Sequence, residues 1–235
     1  MQPITNRIIV CEAYHKAVHA LTDDGSHRIF TIRTPLFRDP VGATCQANGH
    51  IIVGDTNRNT FFIFDAAGRL IRTFNSADAK TVLGGGLDIC VLDNRYLSLS
   101  SPTPNWMTSM LCVTDLEKIN IWSGDGSQRI GGFGLSGRPQ GLCQDVAGFL
   151  YVSLFEEMVH VYDPRMFRFA PADTFTSEHS SPQLQLQESV LAPLQIIQGT
   201  PNFRNPLGLC VDDENTLFVV DQENHRVQIF DYSSS

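Results

Sequence analysis

Lysine is nearly missing from this chain. Of its 235 residues only Lys16, Lys80 and Lys118 are lysines, and every other basic side chain is arginine or histidine. Acids outnumber Lys and Arg 25 to 17, for a formal net charge of −8. A general nucleic-acid binder neutralises phosphates with clustered Lys and Arg, so this balance argues against one. No run approaches the roughly 18 consecutive apolar residues of a membrane helix, and no membrane association is expected. The opening residues MQPITNRIIVCEAYHK reach Glu12 after a short apolar stretch, unlike a secretory leader. Asn-x-Ser/Thr sequons are absent, and a cytoplasmic protein is expected. The six cysteines form no Cys-x-x-Cys pair. Gly-x-Ser-x-Gly, His-Glu-x-x-His and phosphate-binding loops are also lacking. These absences remove the commonest signatures of zinc, serine-hydrolase and nucleotide chemistry, and no cofactor is expected.

What the chain does have is repetition. FRDPVG at 37–42 returns as FRNPLG at 203–208. Residues 206–231, PLGLCVDDENTLFVVDQENHRVQIFD, overlie 40–65, PVGATCQANGHIIVGDTNRNTFFIFD, without a gap. A third copy starts at Pro139 with one deletion. A fourth is split between GLDICVLDNRYLSLS from Gly86 and MLCVTDLEKINIWS from Met110, and the back half alone appears from Ile8. Within the copies, short β-branched and aromatic runs broken by Asn, Asp and Gly read as strands. The third strand recurs as VHAL, FFIF, INIW, VHVY and VQIF. Gly25, Gly68 and Gly126 follow at a fixed offset in hairpins that need positive φ. A fourth strand comes next: HRIFTI, RLIRTF, QRIGGF and LQIIQG.

A four-stranded antiparallel meander of about 40–45 residues cannot bury both faces by itself; radial stacking of such units gives a β-propeller. The expectation is one all-β domain over 1–235, with five blades and insertions near 101–109 and 166–193. A helix is expected nowhere outside 175–192. A six-bladed ring, or a fragment of one, stays open as an alternative, with LQLQ and LQII in 166–200 as candidate strands of a sixth blade.

The repeated phrase reads as the bridge from one blade's outer strand to the next blade's inner strand. Pro stops the outer strand, and Gly42 and Gly208 are expected to need positive φ or to lie close to a neighbouring blade. Cys90, Cys143 and Cys210 share one position of the inner strand, where Thr44 stands in the second unit. They read as small residues in a crowded place rather than as a metal site. Glu12, Asp55, Asp115 and Asp221 end the second strand of four units. An acid that recurs in this way bonds backbone groups at a turn, and a structural hydrogen-bonding role is also expected for His225.

Chain direction sorts the loops onto two faces. The second-to-third and fourth-to-first connections share one, and its candidate binding residues are Lys16, Arg38, Asn57, Arg58, Lys118, Arg138, Phe203, Arg204, Asn224 and His225. The opposite face gathers acids, among them Asp65, Asp125, Asp145 and Asp212. Binding usually resides in loops on a rigid scaffold, and the mixed Arg/Asn/aromatic face is the better candidate.

NPLGLCVDDENTLFVVDQENHRVQIFD, ending at Asp231, resembles an NHL repeat: Pro-x-Gly, a strand ending in Asp, Asn224-His225-Arg226, then apolar-x-apolar-Phe-Asp. The resemblance is close at 203–231, good at 37–74, partial at 134–165 and weak at 8–32 and 86–134. It implies an interaction domain, often attached to RING-type ubiquitin ligases as their substrate-recognition part. No RING cysteines occur in this sequence. The expected function is therefore a non-enzymatic scaffold that binds a protein partner through the Arg-bearing face, with any ligase activity supplied elsewhere. The resemblance leaves two alternatives: RNA binding on the same face, and a hydrolase or lyase with a metal in the propeller channel.

Overall fold

The computed structural model describes residues 7–58, 60–75, 88–93, 109–115, 117–167, 169–171, 184–186 and 189–231. Blade 1 contains β1 (Arg7–Glu12), β2 (Ala17–Thr22) and β3 (Arg28–Arg33); blade 2 contains β4 (Pro40–Cys45), β5 (Ile51–Asp55), β6 (Thr60–Phe64) and β7 (Leu70–Asn75). Blade 3 is β8 (Ile89–Asp93), β9 (Ser109–Thr114), β10 (Lys118–Ser123) and β11 (Arg129–Gly134). Blade 4 begins with β12 (Pro139–Gln144), β13 (Leu150–Leu154) and β14 (Met158–Tyr162). The chain then forms a short hairpin, β15 (Phe169–Pro171) with β16 (Leu184–Leu186), followed by β17 (Ser189–Val190), which pairs parallel to β11 at the edge of blade 3. It returns as β18 (Gln195–Gln198), the outer strand of blade 4. Blade 5 is β19 (Pro206–Val211), β20 (Thr216–Asp221) and β21 (Arg226–Asp231).

These are five antiparallel blades of a propeller, with no α-helix among the described residues. LQII supplies the outer strand of blade 4, and LQLQ part of the small hairpin, so neither founds a sixth blade. The part of 101–109 before Ser109, and 172–183, lie outside the described residues.

Four hydrophobic clusters mark the four junctions between consecutive blades. They explain why the middle strands do not alternate apolar with polar. In β6, Phe61 and Ile63 pack towards blade 3, while Phe62 and Phe64 pack towards blade 1. A strand between two blades has two dry sides. The outward sides of blades 1 and 5 differ. Val227 and Ile229 are 53% and 62% exposed, although their counterparts Phe61 and Ile63 are 1% and 4% exposed. Ile8 and Val10 are likewise exposed, where Ile51 and Val53 are buried.

The hairpin glycines adopt the expected left-handed backbone, at φ 68° for Gly25, 82° for Gly68 and 67° for Gly126. The bridge glycines do not. Neither Gly42 nor Gly208 has positive φ; each sits at a β-bulge just after the Pro that opens the inner strand. A Cβ on Gly208 would meet only Val220 Cγ2, at 3.9 Å. Crowding of the expected kind occurs instead at the blade 4 counterpart, Gly141, whose Cβ would lie 2.2 Å from the carbonyl oxygen of Leu207 in blade 5. Among the described residues, no neighbouring blade packs against the blade 5 glycine. We expect Gly141→Val to lower the unfolding free energy by about 2–3 kcal/mol through overpacking. Gly208→Val should change it by less than about 0.5 kcal/mol; paired urea denaturation curves read both.

Inner strands are also bonded across blades. Asp88 stands where the other blades carry this glycine, and its Oδ2 accepts the Leu142 N–H at 2.8 Å. Ser153 Oγ donates to Leu207 O at 2.5 Å and accepts from Gly141 N. On the hairpin side, Arg7 Nη1 donates to Ala66 O at 2.7 Å, and Gln46 Nε2 to Gly124 O at 2.6 Å. Each links one blade to the hairpin of the next.

Candidate partner-binding face

The bridges between blades lie against the second-to-third-strand turns, and hydrogen bonds fix them there. In blade 2 the N–H groups of Arg38 and Asp39 donate to Asp55 Oδ2 at 2.6 and 3.0 Å, and Thr56 N donates to Asp39 O. In blade 5, Arg204 N donates to Asp221 Oδ1 at 2.7 Å, and Glu223 N donates back to Arg204 O. In blade 4, Arg138 N donates to Glu156 Oε2 at 2.8 Å, and Phe155 N donates to Arg138 O. Asp55 and Asp221 thus hold backbone groups, as an acid at this repeated position should. Blades 1 and 3 use their equivalents for side chains: Glu12 bonds His15 and His19, and Asp115 accepts from Asn120.

Asp221 is the most heavily bonded of these acids. Burial pushes its carboxyl up, but the Arg204 N–H and the side chains of Asn224, Gln228 and Arg226 outweigh that and hold it well below the ordinary carboxylate range. Arg226 and Gln228 also donate to Pro201 O, and Asn224 to Asn202 O, so the network pins the bridge entering blade 5.

Because the acids are occupied by amides and turn side chains, the nearby guanidinium groups remain at the surface. Arg38 is exposed and makes no ion pair among the described residues. Arg138 lies over the half-exposed ring of Phe155, 5.2 Å from its centroid. Arg204 reaches Glu223 only at 3.8 Å, with both side chains mostly in solvent. Beside Arg204 is a shallow depression of about 530 Å³ lined by Glu157, Pro201, Asn202 and Asn224.

The other sequence candidates divide. Lys16 and His225 are exposed and left-handed, both at φ 52°, where they complete second-to-third-strand turns. The His225 N–H closes the 3₁₀ turn Gln222–Asn224 on Gln222 O, so its role in the fold is carried by the backbone. Asn57 is exposed on the 3₁₀ turn Thr56–Arg58, which also places the backbone of Arg58 on this face. Lys118 is half-buried, and its carbonyl accepts the Asp115 N–H. Asn224 is directed inward to Asp221 and Asn202. Phe203 is a correction: it is fully buried in the blade 4–blade 5 cluster, its ring 5.7 Å from that of Phe230, and it offers nothing to a partner. The Arg138–Phe155 stack was not readable from sequence, because the two residues belong to different connections.

In the channel region, burial pushes the Cys11 thiol up to about 12 and raises Cys90 and Cys143 as well, with the Asp88 charge adding to each. Protonated thiols of this kind pack as small apolar groups. Asp88 itself is raised to about 6 by burial, against the opposing N–H groups of Leu142 and Ile89.

The family model of the NHL repeat matches residues 203–230. No curated protein sequence matches the chain. Among solved structures, a protein of unknown function from Bacteroides caccae is similar, with a TM-score of 0.54 and 10% identity, over 97% of this chain and 69% of that one. At that identity the likeness concerns the fold alone. The described residues form five blades of a β-propeller, and the NHL repeat matches the blade formed by β19, β20 and β21.

Proposed function

We propose that the protein is a non-enzymatic scaffold that captures a protein partner on the face carrying Arg38, Arg138 and Arg204. One observation carries this reading. The acids beside these arginines bond backbone amides, so the guanidinium groups are held at the surface without strong local partners. Arg in such a setting, particularly stacked on an aromatic ring, is a common anchor of protein interfaces, where Lys is depleted. The finer form of the proposal is substrate recognition within a ubiquitin-ligase system, the ligase chemistry coming from another component.

RNA is the second reading. A single-strand reader needs aromatic platforms among its basic groups. With Phe203 buried, this face retains Tyr14 and Phe155, which favours the protein reading. The test is capture from a lysate by wild-type protein and by Arg38→Glu with Arg204→Glu, with and without nuclease. The double variant should lose capture while its melting temperature stays within about 2 °C. Capture that nuclease abolishes would assign the face to RNA, and capture unaffected by charge reversal would place the binding surface elsewhere.

A further inference from the structure

A second recess lies between blades 2 and 3, on the face opposite the arginines. It is open to solvent and offers about 270 Å³, and its apolar lining comes from Ile63, buried on β6, and Ile71, half in solvent on β7. Around this floor stand four polar side chains with unused hydrogen-bonding capacity. Among the described residues Arg72 uses only Nη1, towards Asp125 O at 3.3 Å and Asp125 Oδ2 at 3.4 Å. Asp125 Oδ1 is occupied by Ser123 and Ser127, whereas among the described residues Oδ2 meets only Arg72. Gln46 donates through Nε2 to Gly124 O and Ser109 Oγ, leaving Oε1 without a partner among the described residues. His50 engages Asn48 through Nδ1, leaving Nε2 without one.

We propose that this recess binds a small zwitterion with an aliphatic side chain, of the α-amino acid class. Its carboxylate is received by Arg72 and His50 Nε2, its ammonium by Asp125 Oδ2 and Gln46 Oε1, and its alkyl group lies on Ile63 and Ile71. The size allows it: about 270 Å³ is many times the space that a single water needs. The geometry is also prepared. The Ser123–Ser127 turn fixes Asp125, and the Gln46 bond to Gly124 fixes the distance between blades, so binding orders few side chains. An Arg72–Asp125 pair this exposed contributes little to stability, and a ligand inserting between the two groups replaces it with two closer contacts.

The test is calorimetric titration of the whole chain with L-leucine, glycine, isovalerate and isoamylamine. Leucine should saturate with a Kd on the order of 1 mM, as befits so few atoms, and each of the other three should bind at least about tenfold more weakly. Arg72→Ala and Ile71→Asp alter exposed positions, and each should weaken leucine by at least about tenfold without changing the melting curve. The Arg38→Glu, Arg204→Glu protein should bind leucine as the wild type does. No saturable leucine binding, glycine binding equal to leucine, or unchanged binding in both recess variants would overturn the assignment.

Discussion

Asp221→Ala should lower the unfolding free energy by about 3–5 kcal/mol, the usual result of removing one partner from a buried charged network. The side chain is fully buried and accepts from Arg204 N, Asn224, Arg226 and Gln228. Alanine would leave the Arg204 backbone amide without an acceptor, remove one of the two acceptors of the buried Gln228 amide, and leave Arg226 without its counter-charge. Each orphaned donor carries its own desolvation penalty. The entry bridge would loosen together with blade 5, because the same donors hold Pro201 O. Urea denaturation at pH 7 reads the loss. A pH series adds a second signature. The folded carboxyl lies well below its ordinary value of about 3.9, so its contribution is complete above about pH 4 and fades as the pH falls towards the folded value. Between neutral pH and mild acid, the wild-type advantage over Asp221→Ala should stay constant, and it should shrink only below about pH 4.

The second large effect comes from one substitution made at two equivalent places. Ile63→Asp should cost on the order of 3 kcal/mol, since it removes a buried side chain from the junction between blades 2 and 3 and sets there a carboxylate whose nearest cation is the half-exposed Arg72 across the strand pair. Ile229→Asp occupies the same position of the third strand in blade 5, where the side chain is already mostly in solvent. It should cost less than about 0.5 kcal/mol. Comparable losses at both sites would mean that the outer side of blade 5 is covered in solution.

The same asymmetry explains which features could be read from sequence. Strands β6, β10, β14 and β21, the hairpin glycines and the acid at the end of the second strand obey rules internal to one repeat, and repeats announce them. Gly208 departs from the repeat's expectation because, among the described residues, it lacks the neighbouring blade that crowds its counterpart Gly141. Its φ is ordinary, and the space beyond it is open. Phe203 departs from its expected place on the surface because it lies in a bridge before an exposed Arg, where alternation gives no inward or outward signal. The available clue was its counterpart Phe37, also buried, with its ring 5.1 Å from Phe62. Contacts between blades, such as Arg7 to Ala66 or Asp88 to Leu142, join residues far apart in the chain and leave no periodic trace. The two-residue strand β17, paired parallel to β11, is too short to carry a pattern.

Partner capture on the arginine face is tested most directly by placing a photo-cross-linking amino acid at Asn57, at His225 or, on the opposite face, at Asp213, all of them exposed. The account predicts nuclease-resistant cross-links to the same protein from Asn57 and His225, and none from Asp213. Cross-links confined to Asp213, or adducts from Asn57 and His225 that nuclease removes, would contradict it.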